Sequence, residues 1–402
     1  VRRTNHITGG ERRFEFEFTY NRKAVRAYEG DSIACALARE GVHVFSRSMK
    51  FHRPRGLYCG AGRCFSCAMR VDGIPGVRTC QTLARDGMVV ESEGGIPTTR
   101  IDLLSSFDHI FRRQLDYHSM FTRPRIMAPL FQRIVRRLAS PRRLPEHAQP
   151  FQPLKAVSTD VLIVGHGVSG RAACEALREK GLNPLVADRH GTDVFPPSMA
   201  FGFYESGRVG LMTDTGGMLV EAKVVLLATG RLETGLDLPN GDLPGVMLPE
   251  AAVSLAKRGI RPGARAFLVG MNGLREQVEN DLSSVGCAVV GRSEDADKVK
   301  AIIGRRRVRK VKAVINGVVE EVLCDTVVVF GPLVPYVNLA QQAGCRLKAS
   351  GDFWIVDASK SGATSVSGIY SCGSVAGYET EKDRAASGRK AGLFVARAFG
   401  GS

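Results

Sequence analysis

Four cysteines, Cys59, Cys64, Cys67 and Cys80, fall within the stretch YCGAGRCFSCAMRVDGIPGVRTC at residues 58–80, separated by four, two and twelve residues. Thiolates at this density hold soft metal ions or metal–sulfur clusters rather than forming an isolated bridge. A Cys, four residues, a Cys, two residues, a Cys and a distant fourth is the plant-type [2Fe–2S] spacing. Gly60 and Gly62 would let backbone amides approach the sulfurs, where their hydrogen bonds tune the reduction potential. Structural zinc is the competing use of four thiolates. It favours two short Cys-x-x-Cys knuckles, and only Cys64 and Cys67 form such a pair.

A second chemical signal begins at Gly165. Gly165, Gly167 and Gly170 make a G-x-G-x-x-G turn directly after the apolar run DVLIV and directly before a helical pattern, and Asp188 closes the next strand. In that setting the first glycine makes the turn, the second lets backbone approach a pyrophosphate, and the third lets helix meet strand. The helix N-terminus, with Ser169 in its first turn, faces the anionic phosphates. Asp188, followed by Arg189, is the expected ribose partner. A glycine turn serving packing alone is the alternative.

These sites need elements to position them. Residues 11–30 alternate around Tyr20, Asn21 and Arg22, a hairpin signature, and DSIACALAREGV has helical spacing with Asp31 or Ser32 as N-cap and Gly41 as stop. A hairpin, a helix and a cysteine loop compose a β-grasp unit, assigned to residues 1–98. Residues 99–155 read as an Arg/Pro-rich connector carrying an amphipathic helix in IMAPLFQRIVRRLA. Residues 156–402 read as an α/β nucleotide-binding domain. Within it, residues 200–230 predict three short strands in a meander and then one apolar strand. ARAFLVGMNG predicts a strand and turn before a helix to about 285. Asn316–Gly317 marks a hairpin tip, and a helix is expected over about 380–398. The fold class is thus α+β and α/β, a β-grasp, ferredoxin-like domain followed by a Rossmann-like nucleotide-binding domain.

The 402 residues carry a net charge of +16, with arginines concentrated at 111–146 and 304–310. No aromatic platform or recognition motif accompanies them, so a basic face docking an acidic protein is expected rather than nucleic-acid binding. No apolar run reaches membrane-spanning length. The N-terminal residues lack an apolar signal core, so a cytoplasmic location is expected. Cys35, Cys174, Cys287, Cys324, Cys345 and Cys372 stand singly in apolar contexts and read as core residues.

SMKFHRPRG ahead of the first cysteine and VDGIPGVRTC leading to the last resemble the ferredoxin-type domain of a family of amine and amino-acid oxidoreductases. The family comprises the alpha subunit of heterotetrameric sarcosine oxidase, hydrogen cyanide synthase, opine oxidases and dye-linked proline or hydroxyproline dehydrogenases. VVLLATG, with Ala228, Thr229 and Gly230, and DLPGVM resemble the same family's flavoprotein fold, as does the closing run GIYSCGSVAG. The resemblance implies a two-dinucleotide-binding flavoprotein fold with a second Rossmann-like insert over about 256–345, and FAD at the first glycine turn, with Gly373 and Ser374 at the closing element, where the family has a Gly-Asp pair. It implies an electron-transfer subunit in a hetero-oligomer with a catalytic flavin-containing amine oxidase-like subunit and an electron acceptor. FLVGMNG, with only Gly270 and Gly273, departs from the family's second glycine turn and leaves NAD(P) binding there open. Between Asp188 and the meander the chain is tens of residues shorter than the family pattern. His166 and His52 are expected to serve the glycine turn and the cluster loop rather than acid–base chemistry, and no catalytic residue is assigned. A self-sufficient NAD(P)H-dependent reductase and a non-enzymatic cluster or zinc scaffold remain as alternatives.

Overall fold

The computed structural model describes residues 15–48, 52–95, 98–102, 129, 145, 154–192, 195–204, 207–213 and 216–400. The amphipathic run at 126–139 lies outside them, apart from Pro129. The chain forms two compact units: one from Val1–Gln149 with Glu233–Pro332, the other from Pro150–Leu232 with Leu333–Ser402.

In the first unit, strands Glu15–Tyr20 and Lys23–Tyr28 pair antiparallel across a two-residue turn, with Tyr20 opposite Lys23. Asn21 and Arg22 both take positive φ, 47° and 65°, as a type I′ turn requires. Ser32 caps the helix Ile33–Arg39 by accepting from the Cys35 amide. Asp31 is the neighbour rather than the cap: it accepts from the Tyr28 amide and pairs with Arg39. The sheet adds Val89–Glu91, parallel to the first strand, then Ala68–Val71 and Ile74–Arg78, giving the mixed sheet of a β-grasp domain. Phe18, Ile33, Leu37, Phe45 and Met69 fill its core.

The insert in this unit is a four-stranded parallel sheet in which Arg265–Gly270 lies between Ala288–Ser293 and Thr326–Phe330. Helices Pro249–Ala256 and Arg275–Ser284 accompany it, and a three-stranded antiparallel sheet ends in the Asn316–Gly317 hairpin, where Ile315 faces Val318. Met247, Ala251, Ala252 and Leu255 of the insert share one core with Ile33, Leu37 and Phe45.

In the second unit, Lys155–Val164 is flanked by Leu185–Ala187 and Gly216–Leu227, and Ile369–Ser371 extends the sheet, all parallel. The meander differs from its sequence expectation. Its third strand and the apolar strand are one 12-residue strand, Gly216–Leu227, whose first half pairs antiparallel with Arg208–Thr213 and whose last four residues are buried. No turn residue interrupts VEAKVV, so pairing continues from meander to parallel sheet. Helices Val168–Glu179 and Glu381–Ala398 pack on each other through small residues: a Cβ on Gly388 would lie 2.1 Å from the Ser169 carbonyl oxygen, and one on Gly392 2.6 Å from that of Ala173. The six singly placed cysteines are all buried.

Between the β-grasp domain and the insert lies a polar contact. Arg307 Nη1 donates to His43 Nε2 at 2.7 Å, and the guanidinium also donates to the carbonyls of Asp325 and Pro262. Burial first, and the Arg307 charge second, depress the His43 pKa from 6.5 to about 4, against a smaller opposing pull from Asp325. The imidazole is therefore neutral when folded and takes up a proton when unfolded. Its contribution is complete above pH 6.5 and is lost as pH falls toward 4. Denaturant titrations should show stability dropping over that window by up to about 3 kcal/mol, and His43→Gln, which keeps an acceptor for Arg307, should flatten the drop.

Candidate functional site

The four cysteines are gathered by one loop. Gly60 and Gly62 take φ of +66° and +72°, which turns successive amides inward. The Ala61 and Arg63 amides donate to Cys59 Sγ at 3.4 and 3.3 Å, and the Gly62 amide donates to Cys80 Sγ at 3.2 Å. Gln81 Nε2 pins the loop by donating to the Gly60 carbonyl at 2.8 Å, and Thr79 Oγ1 donates to that of Cys67 at 2.7 Å. The Arg78 guanidinium stacks over Phe65 at 4.4 Å.

The thiols interact in pairs. Hydrogen bonds from Cys64 and then Cys80 hold Cys59 far below the ordinary thiol range. The bond to Cys59, and then burial, raise Cys64; the bonds to Cys59 and Cys67 raise Cys80. Cys67 is lowered to about 7, first by Cys80. Four thiols this close cannot all ionise without cationic charge among them, which is the condition a metal centre meets. Among the described residues no three His, Cys, Asp or Glu side chains surround one metal point. Four thiolates at this spacing are the donor set of a [2Fe–2S] cluster.

The loop is closed by the insert. A Cβ on Gly60 would meet the Ala251 Cα at 2.7 Å, and the Leu248 amide donates to the Tyr58 carbonyl at 2.8 Å. Cys59 packs with Leu238, Leu248 and Phe267 of the insert, whereas Cys67 lies in the core that the β-grasp domain and the insert share. Cys64 lines a cleft of about 500 Å³ with Tyr58, Leu238 and the ion pairs of Arg53 and Arg55 with Asp242. His52 is buried, its Nδ1 2.8 Å from Asp102 Oδ2, with Arg47 donating to its carbonyl; it braces backbone.

In the second unit the glycine turn forms a cradle. Gly165 has φ +101°, and a Cβ there would lie 2.3 Å from the Ala228 carbonyl oxygen; one on Gly170 would lie 1.9 Å from that of Gly165. Gly167 faces open space and is the N-cap of a helix that has no side-chain cap and no acidic residue in its first turn. Its leading amides are thus offered to an anion, as a dinucleotide pyrophosphate requires. A Cβ on Gly373 would lie 2.1 Å from Ser169 Oγ, so the closing element meets the cradle, and Ser374 beside it is buried. The Gly373 amide donates to Ser387 Oγ at 3.0 Å. Thr229 Oγ1 donates to the Tyr336 carbonyl at 2.8 Å, and Gly230 has φ +71°. Gly165, Gly167, Ser169, Gly170, Ala228, Gly373 and Ser374 are therefore assembled at one place.

Asp188, the expected ribose partner, is engaged by backbone amides. Its Oδ2 accepts from the His166 amide at 2.7 Å and its Oδ1 from that of His190 at 2.9 Å, so its first task is to clamp the turn. Arg189 is exposed next to it. The Ser198 amide donates to the Asp188 carbonyl, so the shortened segment is a compact return into the meander. Sequence reasoning missed Gln81, Ala251 and the insert wall, whose contacts join residues far apart in the chain. In the insert, Asn272 Oδ1 accepts from the Leu274 amide at the head of the Arg275–Ser284 helix, using a donor that a nucleotide phosphate would need.

Comparison with known proteins agrees with this arrangement. Residues 14–95 match the 2Fe-2S iron-sulfur cluster binding domain family. Sarcosine oxidase subunit alpha of Rhizobium meliloti (strain 1021) is 24% identical over 374 residues, covering 79% of this chain and 37% of that subunit. Hydrogen cyanide synthase subunit HcnA of Pseudomonas aeruginosa is 36% identical over 73 residues, 18% of this chain and 69% of that subunit. The crystal structure of L-proline dehydrogenase from P. horikoshii superposes with a TM-score of 0.72 at 19% identity, covering 98% of this chain and 75% of that one, and so shares the fold. The chain spans little more than a third of the sarcosine oxidase subunit.

Cys67→Ala leaves three thiols and should abolish bound iron and the cluster's share of the visible absorbance, leaving that of bound flavin. Gln81→Met, which frees the Gly60 carbonyl, should speed iron loss to a chelator by about ten- to a hundredfold. With its cysteine loop inside the matched domain and its flavoprotein-like fold shared over nearly its whole length, the chain belongs to the alpha-subunit-like [2Fe–2S]/FAD oxidoreductase group that includes sarcosine oxidase subunit alpha and hydrogen cyanide synthase subunit HcnA.

Proposed function

We propose that the chain is the electron-transfer subunit of a multi-subunit amine or amino-acid oxidase or dehydrogenase, relaying electrons between FAD and a [2Fe–2S] cluster. The observation that carries this reading is the ring of three amide-to-sulfur hydrogen bonds around two of four clustered thiols. Such bonds stabilise charge on sulfur and so set a potential, which a purely structural metal site does not need. When bound, FAD and the cluster supply two-electron and one-electron redox chemistry respectively.

In this reading Cys59, Cys64, Cys67 and Cys80 hold the irons. The uncapped helix head behind Gly167 and Ser169 holds the FAD pyrophosphate, and Gly165 and Gly170 keep the turn close enough for that contact. Asp188 fixes the turn through the His166 amide, and each of its oxygens has a further lone pair for a ribose hydroxyl. Ser374, where the family has an acid, contributes a neutral hydroxyl at the closing element. Ala228, Thr229, Gly230 and Gly373 wall the cradle. In this reading substrate oxidation belongs to a partner subunit. The net charge of +16 suits docking of an acidic partner or acceptor.

Gly170→Val tests the cradle. Overpacking costs about 1–3 kcal/mol, so flavin affinity should fall by about ten- to a hundredfold while iron and sulfide contents stay unchanged. Cys67→Ala should do the reverse, keeping flavin but losing flavin-to-acceptor electron transfer in stopped-flow absorbance. Anaerobic NADH without any partner should leave the flavin oxidised; rapid bleaching would instead establish the self-sufficient reductase.

A further inference from the structure

We propose that the insert is a potential-setting wall for the cluster, acting through Glu250 as a positioning residue that holds Arg63. The proposal rests on the reading of the cysteine loop as the cluster seat. Arg63 contributes twice to that loop. Its amide donates to Cys59 Sγ at 3.3 Å, and its guanidinium reaches across to Glu250 at 3.6 Å, both side chains being about three-quarters or more buried. Glu250 lies in the first turn of the Pro249–Ala256 helix, and its amide donates to Glu233 Oε2 at 2.9 Å. The head of this helix therefore carries two carboxylates and one guanidinium in a partly desolvated layer against the loop.

Contact between loop and wall is tight. The Leu248 amide donates to the Tyr58 carbonyl one residue before Cys59, and no Cβ fits at Gly60 without displacing the Ala251 backbone. Cys59 and Cys64 pack with Leu238, Leu248 and Phe267 of the insert, and Cys67 and Cys80 lie in the core that the β-grasp domain shares with Met247, Ala251 and Leu255 of the insert. The insert thus contributes to the packing around all four sulfurs. Reduction adds one negative charge to the centre held by these thiolates, so a nearby carboxylate opposes it and a nearby guanidinium favours it, with screening reduced in a partly buried layer. The Arg63–Glu250 pair keeps both charges at fixed places. It gives the β-grasp domain a potential determined by residues about 190 positions away in the chain.

Spectroelectrochemical titration of the full-length protein, with iron and acid-labile sulfide measured on each sample, tests this. Glu250→Gln should favour the reduced state by about tenfold, a rise of about 59 mV for one electron, and Arg63→Gln should move the potential the opposite way, both at unchanged iron content. The double variant should fall between them. Potentials unchanged in both single variants, on protein that still holds its cluster, would overturn the wall while leaving the seat intact. A wild-type protein reconstituted anaerobically with iron and sulfide that binds neither would overturn the cluster reading itself. If either variant loses iron, the swap Arg63→Glu with Glu250→Arg decides: recovered iron with a displaced potential supports the wall, and no recovery overturns it.

Discussion

The arrangement of the first unit depends on backbone amides being turned toward sulfur. Two glycines with positive φ, Gly60 and Gly62, rotate three successive peptide groups so that their N–H bonds converge on Cys59 and Cys80. A residue with a side chain at Gly60 would pay in strain and in collision with Ala251. The loop therefore fixes the composition of the surface that covers it: a helix start of small residues, reached through the Leu248–Tyr58 hydrogen bond. Cysteine loop and insert are one packing problem, which is why Cys59 is buried among insert residues and Cys67 in a core that both parts share.

The second unit solves a related problem with the opposite charge. Its glycines bring amides to a helix head left free of side-chain caps, and the small residues of the C-terminal helix let that element press directly on the turn. Asp188 shows how a nucleotide site can hold itself together before any ligand arrives. By accepting from His166 and His190 it ties strand end, turn and return loop into one network, which suits the short connection to the meander.

Some features were legible because they are local. The two hairpin tips follow from Asn21–Arg22 and Asn316–Gly317, the helix start from the Asp31–Ser32 pair, and the redox reading of the cysteines from their spacing and the glycines between them. Other features were misplaced for the same reason. The meander was cut one strand too finely because the polar residues of VEAKVV resemble a boundary, while pairing with neighbours on both sides keeps Gly216–Leu227 continuous. Asp31 and Ser32 were equivalent caps in sequence, and Arg39 separates them by engaging the aspartate.

By itself the sequence determined which atoms can do chemistry: four thiols at cluster spacing, a glycine turn between a strand and a helix, and turn residues able to reach positive φ. Those properties arise from backbone sterics and neighbours a few residues away, so they are written in short windows. Only the tertiary structure decided that the insert closes the cysteine loop, that Gln81 and Ala251 belong to the seat, that His43 meets Arg307, and that Asp188 is already engaged by backbone amides. Such contacts join segments tens to hundreds of residues apart, through complementary shape and desolvated charge that leave no periodic mark in the chain.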